Sequence, residues 1–401
     1  MALAFVDQIA GEAIINDYES WKSKVYENTG MEFGDSYGDV TGRLLYDIET
    51  DSQTSRTSSF KYQGSELKLT KKENRFTGTT EYRLRIKANP SAIYFGGNNY
   101  RNIPFAAFKA LLSDFATSLH LDLNKIRITA PFEPSITVAL QPLDFIISEQ
   151  KLKGRLVIYQ GSEHKEMNNW QDKFMGYRAN NAHYCTKTYL PSVKFSDPSL
   201  NYLRVELKYN RINTFCKRTK IYTWADLLRG ESMYHCYQLV LKAWDDTIIH
   251  DPALRRSKYY STYLNQMIRK GSKADFWLNE FPLTASDKTR KERIQEYREL
   301  SFSRGEGLHT TVRNWMIQEG EKFRDVTTWL TCNNSELNNQ EVNINNSFNI
   351  TNNMKAHNEK QINSEQITDT ITVTKEIVPQ ALIRMVMKKA KAIEVENVKS
   401  R

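Results

Sequence analysis

The sequence predicts an α+β protein in which an antiparallel sheet with covering helices is followed by a helical domain and a disordered C-terminal tail. Segments that alternate apolar and polar residues are spread over residues 40–215, as half-buried strands require. After Thr223 the apolar period changes to about 3.6 residues, which indicates helices. Residues 333–364 are rich in Asn and poor in apolar residues, a composition that cannot offset chain entropy by burial.

The most regular unit covers residues 81–140. In Glu81–Ala88 the apolar residues alternate with Arg83, Arg85 and Lys87, which predicts a strand with a basic outer face. A glycine-containing turn follows at 89–99. Apolar residues from Phe105 to Leu119 then recur three and four positions apart, which predicts a helix over 104–119. Two short strands, 126–130 and 135–140, complete the unit.

The remaining elements are predicted from the same patterns. We expect residues 1–39 to form a separate N-terminal segment, with a helix over 4–21. Residues 163–181 are polar and irregular, and Trp170, Phe174 and Tyr177 are the expected buried anchors. The other predicted strands are 42–48, 67–70, 155–159, 183–189 and 202–209. A polar loop over 49–59, a short helix over 142–149 and a turn or loop over 190–200 are also predicted.

The α+β domain is therefore predicted to span residues 40–215 and the helical domain residues 216–330. Within the latter, the caps and apolar spacing predict helices at 224–229 and 233–248, one opening at Asp251-Pro252, one capped by Ser286, and one over 310–330. An Asn-rich linker over 331–375 and a basic helix over 376–401 complete the prediction.

The composition indicates which kinds of partner the protein is expected to have. The 401 residues include 56 Lys and Arg against 47 Asp and Glu, which gives a net charge of +9 and a pI near 9.1. This balance favours a polyanionic partner, although many soluble proteins share it without binding nucleic acid. The four cysteines lack zinc-site spacing. With no membrane-spanning apolar run and no basic N-terminal leader, we expect no membrane partner and a cytoplasmic location.

Two stretches carry a family resemblance. The sequences RLRIKANPSAIYFGGNNY and FAAFKALLSDFATSLHLDLNKIRITAPFEPSITVAL resemble the core of rolling-circle replication initiators. The similar proteins are those of the filamentous-phage gene II/X type and the related Rep proteins of phages and plasmids. The resemblance covers residues 60–250 or so and implies a Rep/relaxase-like sheet.

This resemblance implies a DNA nicking and joining enzyme. Lys187-Thr188-Tyr189 resembles the start of the family's K-x-Y-D-K element, whose tyrosine attacks DNA and forms a 5′-phosphotyrosine link. Glu206 lies in a segment similar to the family's R-x-E-x-K strand, and Glu133 takes the place of its acid between two strands. These carboxylates are the implied ligands of Mg²⁺ or Mn²⁺. Lys187 is the implied catalytic neighbour of the tyrosine.

The same resemblance implies the partners. They are single- and double-stranded origin DNA and the host replication machinery, and the oligomeric state is not predicted. Basic residues near the strands are expected to contact phosphates. They are Arg83, Arg85, Lys87, Arg204 and Lys208.

Two departures from the family pattern keep alternatives open. Leu190 and Pro191 stand where relatives have an acid and a lysine, and none of the seven histidines forms a His-x-His pair. A catalytically degenerate DNA-binding protein on the same fold is therefore one alternative to the enzyme. A structural or protein-binding module, whose basic charge is incidental, is another.

Each selected residue also has a purely structural interpretation. Tyr189 is one of 21 tyrosines, and a tyrosine at a strand end commonly packs with its hydroxyl in water. Glu206 lies between Arg204 and Lys208 and is a natural ion-pair partner. Glu133, between two prolines, is placed to shape a bend. Basic strand faces are usually solvated surfaces. The basic helices over 253–300 are either ordinary solvated faces or a surface that grips duplex DNA beside the nick.

Overall fold

A nine-stranded antiparallel sheet organises the fold. In this computed structural model its strands lie in the order β2-β3-β4-β1-β5-β11-β10-β9-β8. The strands are β1 Val6–Ile15, β2 Gln53–Tyr62, β3 Ser65–Asn74, β4 Thr80–Ala88, β5 Arg127–Ala139, β8 Lys165–Asn168, β9 Phe174–Asn180, β10 Tyr184–Tyr189 and β11 Tyr202–Tyr209. A second, three-stranded sheet consists of β6 Leu156–Tyr159, β7 Ser162–Glu163 and β12 Ile248–Ile249.

The structure describes seven stretches of the chain. The strand predicted over 42–48, the helix over 142–149, the Asn-rich linker and the basic C-terminal helix lie outside them. The described stretches are 3–31, 53–74, 77–97, 101–140, 152–197, 201–281 and 286–332.

The helices follow the strands in chain order. Those up to the end of the large sheet are α1 Tyr18–Thr29, α2 Pro90–Tyr94, α3 Phe105–Ser118 and α4 Pro191–Lys194. The later ones are α5 Ile212–Thr219, α6 Trp224–Leu227, α7 Gly230–Asp246, α8 Thr262–Lys270, a π-helix Phe276–Glu280, α9 Asp287–Arg304 and α10 Leu308–Cys332.

The helix predicted over residues 4–21 is wrong. Residues Val6–Ile15 form β1, which pairs with β4 on one side and β5 on the other, so the sheet begins well before residue 40. As a central strand, β1 is buried over most of its length, and its short apolar run shows no period that separates strand from helix. Gly11 is needed here because a Cβ would lie 2.5 Å from the indole nitrogen of Trp224. The helix starts only after Asp17, which caps α1.

Alternating strands and the amphipathic helix are confirmed. The predicted strands over 81–88, 183–189 and 202–209 are β4, β10 and β11, and the helix over 104–119 is α3. The inward residues of β11, from Leu203 to Tyr209, are buried, and the Tyr209 ring lies 5.2 Å from that of Phe215 on α5. The two short strands predicted after α3 are one continuous strand, β5.

The polar segment over 163–181 is a β-hairpin rather than an irregular loop. Strands β8 and β9 pair antiparallel around the turn that contains Trp170. Phe174 and Tyr177 are buried anchors as expected, but Trp170 is 80% exposed. The predicted loop over 49–59 is also corrected, because β2 starts at Gln53.

The helical part differs from prediction at Asp251. Residues 251–254 form no helix, because the Asp251 carboxylate is buried and accepts hydrogen bonds from Ser301 Oγ (2.6 Å) and the Glu306 amide (3.0 Å). The helix predicted from Asp251 starts instead at Thr262, after the cap Ser261. The helices α6, α7 and α9 agree with prediction, and Ser286 caps α9.

The chain divides into two compact units, Met1–Phe323 and Arg324–Arg401. Both sheets lie in the first unit, and the predicted division near residue 215 stays a prediction. Among the described residues, no helix is long and apolar enough to cross a membrane.

Candidate active site

Three carboxylates converge at the centre of the large sheet. Asp7, Glu133 and Glu206 lie on β1, β5 and β11, which are consecutive strands of the sheet. One oxygen from each lies within 4.8 Å of the oxygens of the other two, and all three residues are buried. Glu133 and Glu206 are the two metal ligands that the resemblance implied, and the structure brings their carboxylates together.

Asp7 is the member of this cluster that the sequence did not predict. The β1–β5 register shifts between Val6, opposite Pro134, and Gln8, opposite Glu133. Asp7 is therefore the extra residue of a β-bulge, a distortion that changes the direction in which side chains leave the strand. The bulge brings the Asp7 carboxylate beside those of Glu133 and Glu206. Since residues 4–21 were expected to form a helix, neither the bulge nor the position of Asp7 in the cluster was predicted.

Tyr189 joins the cluster from the neighbouring strand. Its hydroxyl donates a 2.6 Å hydrogen bond to Glu206 Oε1, and the residue is 2% exposed. Burial and the negative charge of Glu206 raise the pKa of Tyr189 well above its ordinary value. The phenol is thus protonated at neutral pH and surrounded by charged groups rather than by apolar side chains alone.

Arg204 is the buried counter-ion of the carboxylates. It is fully buried, its Nη2 lies 2.6 Å from Asp7 Oδ1, and its Nε lies 3.0 Å from Glu206 Oε1. The expectation that Arg204 contacts DNA phosphates is therefore corrected, since the side chain has no exposed surface. Its partners hold it at the base of the site.

Two lysines border the cluster on its open side. Lys187 Nζ lies 3.1 Å from Glu206 and 3.6 Å from Glu133, and Lys208 Nζ lies 3.0 Å from Glu133. Burial lowers the pKa of Lys187, but the two glutamates outweigh it and the pKa is raised overall. Both lysines are partly exposed, so they are placed to meet a phosphate as well as the carboxylates.

The surroundings shift the pKa values of Asp7 and Glu206 in opposite directions. Burial raises the pKa of Asp7 to about 6, with Arg204 opposing the rise. Burial also acts to raise the pKa of Glu206, but Lys187 and Arg204 outweigh it and hold that pKa below its ordinary value. Of these two acids, Asp7 is therefore the one that takes up a proton first on acidification.

Lys194 is a second site residue that the sequence did not predict. It ends the short helix α4, directly after β10, where a loop was expected. Its Nζ lies 4.7 Å from the centre of the Tyr189 ring and donates to the Tyr189 hydroxyl at 3.3 Å. Burial lowers the pKa of Lys194 below its ordinary value, although Glu206 opposes the shift.

The basic face of β4 lies on the same side of the sheet as Glu133, two strands away. Cross-strand pairing sets Arg85 opposite Glu12 and Glu12 opposite Arg127, which is six residues before Glu133 on β5. The three predicted DNA-binding residues of β4 already have partners. Arg83 contacts Glu81 and Glu12, Arg85 donates to the carbonyl of Ala130, and Lys87 lies 4.0 Å from Glu66. Their DNA contacts stay a prediction.

The donor set of the cluster fits a hard divalent cation. Mg²⁺ and Mn²⁺ prefer carboxylate oxygens and complete their coordination with water or phosphate oxygens. Asp7, Glu133 and Glu206 offer three such groups within mutual reach. The ammonium groups of Lys187 and Lys208 are ion-paired with the same carboxylates and would compete with the cation.

The chain has little detectable similarity to known proteins. No family model matches the chain, and no curated protein matches it either. Among solved structures it is similar to a rolling circle replication initiator protein from Geobacillus stearothermophilus, with 10% sequence identity. The match covers 64% of this chain and 88% of that one, with a TM-score of 0.28. A likeness of this size carries no argument about fold or function.

Gly176 fixes the approach of β9 to Tyr189. It lies opposite Tyr189, and a Cβ at this position would lie 2.1 Å from the carbonyl oxygen of Thr188 and 2.6 Å from Tyr189 Cα. We expect Gly176→Ala to push the strands apart and to lower the free energy of unfolding by about 1–3 kcal/mol. Urea denaturation measures the loss. Stability equal to that of the wild type would contradict so close an approach.

Divalent cations are expected to stabilise the protein in a pH-dependent way. At about 100 times its dissociation constant, Mn²⁺ should add about 2.7 kcal/mol, measured as a rise in the unfolding temperature. Because a ligand carboxylate must lose its proton and the pKa of Asp7 is about 6, the rise should be full at pH 8 and shrink as the pH falls through 6.

The controls for this measurement lie on the same chain. Glu133→Gln removes one ligand and should abolish the rise, whereas Glu19→Gln, on the exposed face of α1, should leave it unchanged. A rise that survives in Glu133→Gln, or that does not depend on pH, would show that Mn²⁺ binds elsewhere.

Proposed function

We propose that the protein nicks and rejoins DNA strands in the manner of a rolling-circle replication initiator. In this proposal Tyr189 is the nucleophile and Asp7, Glu133 and Glu206 hold a divalent cation. One observation carries it: the Tyr189 hydroxyl is hydrogen-bonded at 2.6 Å to a member of a three-carboxylate cluster drawn from three separate strands. The sequence resemblance around Tyr189, Glu133 and Glu206 supports the same assignment.

The reaction transfers a phosphodiester from one oxygen to another. The Tyr189 Oη attacks the phosphorus, the bond from phosphorus to the 3′ oxygen breaks, and a 5′-phosphotyrosine link forms. The phenolic proton leaves Oη, and the departing 3′ oxygen takes up a proton to become a free hydroxyl. Attack by that hydroxyl, or by one from another strand end, reverses these steps and rejoins the DNA.

The protonation state of Tyr189 determines whether its proton leaves before or during the attack on phosphorus. Since burial keeps its pKa well above the ordinary value, little phenolate exists before DNA binds. Proton loss therefore accompanies the attack, along the existing hydrogen bond to Glu206 Oε1. Lys194 donates to the same oxygen and is placed to stabilise the negative charge that develops there.

The other charged groups of the site are suited to a DNA phosphodiester as substrate. A divalent cation held by the three carboxylates would polarise the scissile phosphate and offset its developing charge. Lys187 and Lys208 lie at the partly exposed edge of the cluster, where they can exchange a carboxylate partner for a DNA phosphate.

The burial of Tyr189 favours a second candidate function. A phenol that is 2% exposed, among carboxylates already paired with Arg204 and Lys187, also suits an ionic cluster that only stabilises the fold. The protein would then bind DNA without cutting it. Leu190 and Pro191, where the family has an acid and a lysine, point the same way.

Label transfer distinguishes the two functions without knowledge of the target sequence. We would incubate the protein with Mn²⁺ and a 3′-labelled pool of single-stranded DNA of random sequence, then separate it on a denaturing gel. The proposed enzyme transfers label to the protein, because the DNA downstream of the nick stays on the tyrosine. DNA binding with no transfer of label would instead establish the non-cleaving protein.

A further inference from the structure

The turn between β8 and β9 holds an exposed tryptophan and is hydrogen-bonded to α4, the helix that carries Lys194. Trp170 is 80% exposed, although five hydrogen bonds fix the backbone on either side of it. Asn169 Oδ1 accepts from the amides of Gln171 and Lys173, each at 2.9 Å. Asn169 Nδ2 donates at 3.0 Å to the carbonyl of Val193 on α4. A large apolar side chain is thus held in water by an ordered turn.

The same contact links this turn to Tyr189. Val193 directly precedes Lys194, whose ammonium group donates to the Tyr189 hydroxyl. The Leu190 amide, next to Tyr189, donates at 3.0 Å to the Met175 carbonyl on β9. The turn, α4 and the end of β10 therefore form one connected unit, with Trp170 at its exposed end.

A row of like charges crosses the sheet from its β8 edge to the carboxylates. Lys165 on β8 lies opposite Arg178 on β9, and Arg178 lies opposite Lys187 on β10. Lys187 is two residues from Tyr189, so the row is on the same face of the sheet. Within the described stretches, neither Lys165 nor Arg178 has an ion-pair partner, and both are exposed. Like charges placed directly opposite are unfavourable unless an anion binds them.

We propose that this side of the sheet binds single-stranded DNA, with an unpaired base stacked on Trp170 and phosphates on Lys165 and Arg178. This inference rests on the proposed function, since it supplies the path by which a strand reaches Tyr189. Single-strand binding uses two features together, a positive track for the backbone and exposed aromatic rings for the bases. The hairpin offers both within one connected unit.

The test measures equilibrium binding of a fluorescent oligothymidine of about 20 nucleotides by anisotropy, in EDTA so that no strand is cut. Trp170→Ala should weaken binding about 5- to 150-fold, and Trp170→Phe should retain most of it. Arg178→Gln should reduce the slope of log K against log salt by about 0.7. The matched control is Tyr259→Ala, which removes an aromatic ring that is 83% exposed elsewhere and should change nothing.

The outcomes separate this inference from the function on which it rests. If the wild type binds the oligonucleotide and Trp170→Ala binds it equally well, the inference is overturned and the proposed function stands. A wild type that binds duplex of the same length but not the single strand also overturns the inference. If the wild type binds neither DNA, the proposed function fails, and this inference fails with it.

Discussion

Tyr189→Phe is expected to reduce transfer of 3′ label to the protein to background, on the order of 10³-fold or more. The substitution removes only Oη, the atom that would bond to phosphorus. The phenyl ring still fills the space beneath Lys194 and opposite Gly176, so the strand keeps its packing. Glu206 loses one hydrogen-bond donor but keeps Lys187 and Arg204. The loss of stability should accordingly be about 1 kcal/mol.

Tyr209→Phe is the matched control for this substitution. Tyr209 is also a buried tyrosine, on β11, but it packs against Phe215 on the opposite face of the sheet. We expect Tyr209→Phe to transfer label at the rate of the wild type. Oligonucleotide anisotropy should show that Tyr189→Phe still binds DNA. Label transfer that persists in Tyr189→Phe would assign the covalent link to another tyrosine.

Arg204→Ala is expected to lower the free energy of unfolding by about 3–5 kcal/mol at pH 8. The arginine is fully buried and contacts both Asp7 and Glu206, so its removal leaves two buried carboxylates without their shared cation. Without Arg204, which opposes the rise in the pKa of Asp7, that carboxyl should take up its proton at a still higher pH. The loss of stability should therefore shrink as the pH is lowered from 8 towards 5.

The control for Arg204→Ala is an exposed arginine in a similar pair. Arg229 lies 3.4 Å from Asp226, but its side chain is 70% exposed, and pairs of this kind contribute about 0–1 kcal/mol. Urea denaturation of both variants at pH 8 and pH 5 compares them directly. A loss in Arg204→Ala as small as that in Arg229→Ala would mean that water or protons already compensate the two carboxylates.

Local patterns predicted the strands on which the site is built. The alternation in β4, β10 and β11 appears in the sequence because one face of each strand packs against the core. The resemblance supplied Glu133, Glu206 and Tyr189, three groups that the sheet brings together from distant parts of the chain. No local pattern could have predicted that these three groups lie close together, since their proximity depends on strand order and register.

Each residue that was missed or misplaced in the prediction has its own physical explanation. Asp7 reaches the cluster through a bulge, and a one-residue shift in register leaves no periodic trace. Arg204 was expected to be exposed because it alternates with apolar residues, but both faces of β11 are covered at that point. Lys194 follows a proline in a segment expected to be a loop. Trp170 was expected to be a buried anchor of a polar, irregular segment, yet an ordered turn holds it outside.

The central claim is that Asp7, Glu133 and Glu206 bind a divalent cation beside Tyr189. Diffraction from crystals grown with Mn²⁺, recorded for its anomalous signal, tests this most directly. We predict one strong anomalous peak within coordinating distance of all three carboxylates, about 2–2.5 Å, with Lys187 or Lys208 displaced from its partner. A map with no peak at this position, and with both lysines still paired to the glutamates, would contradict it.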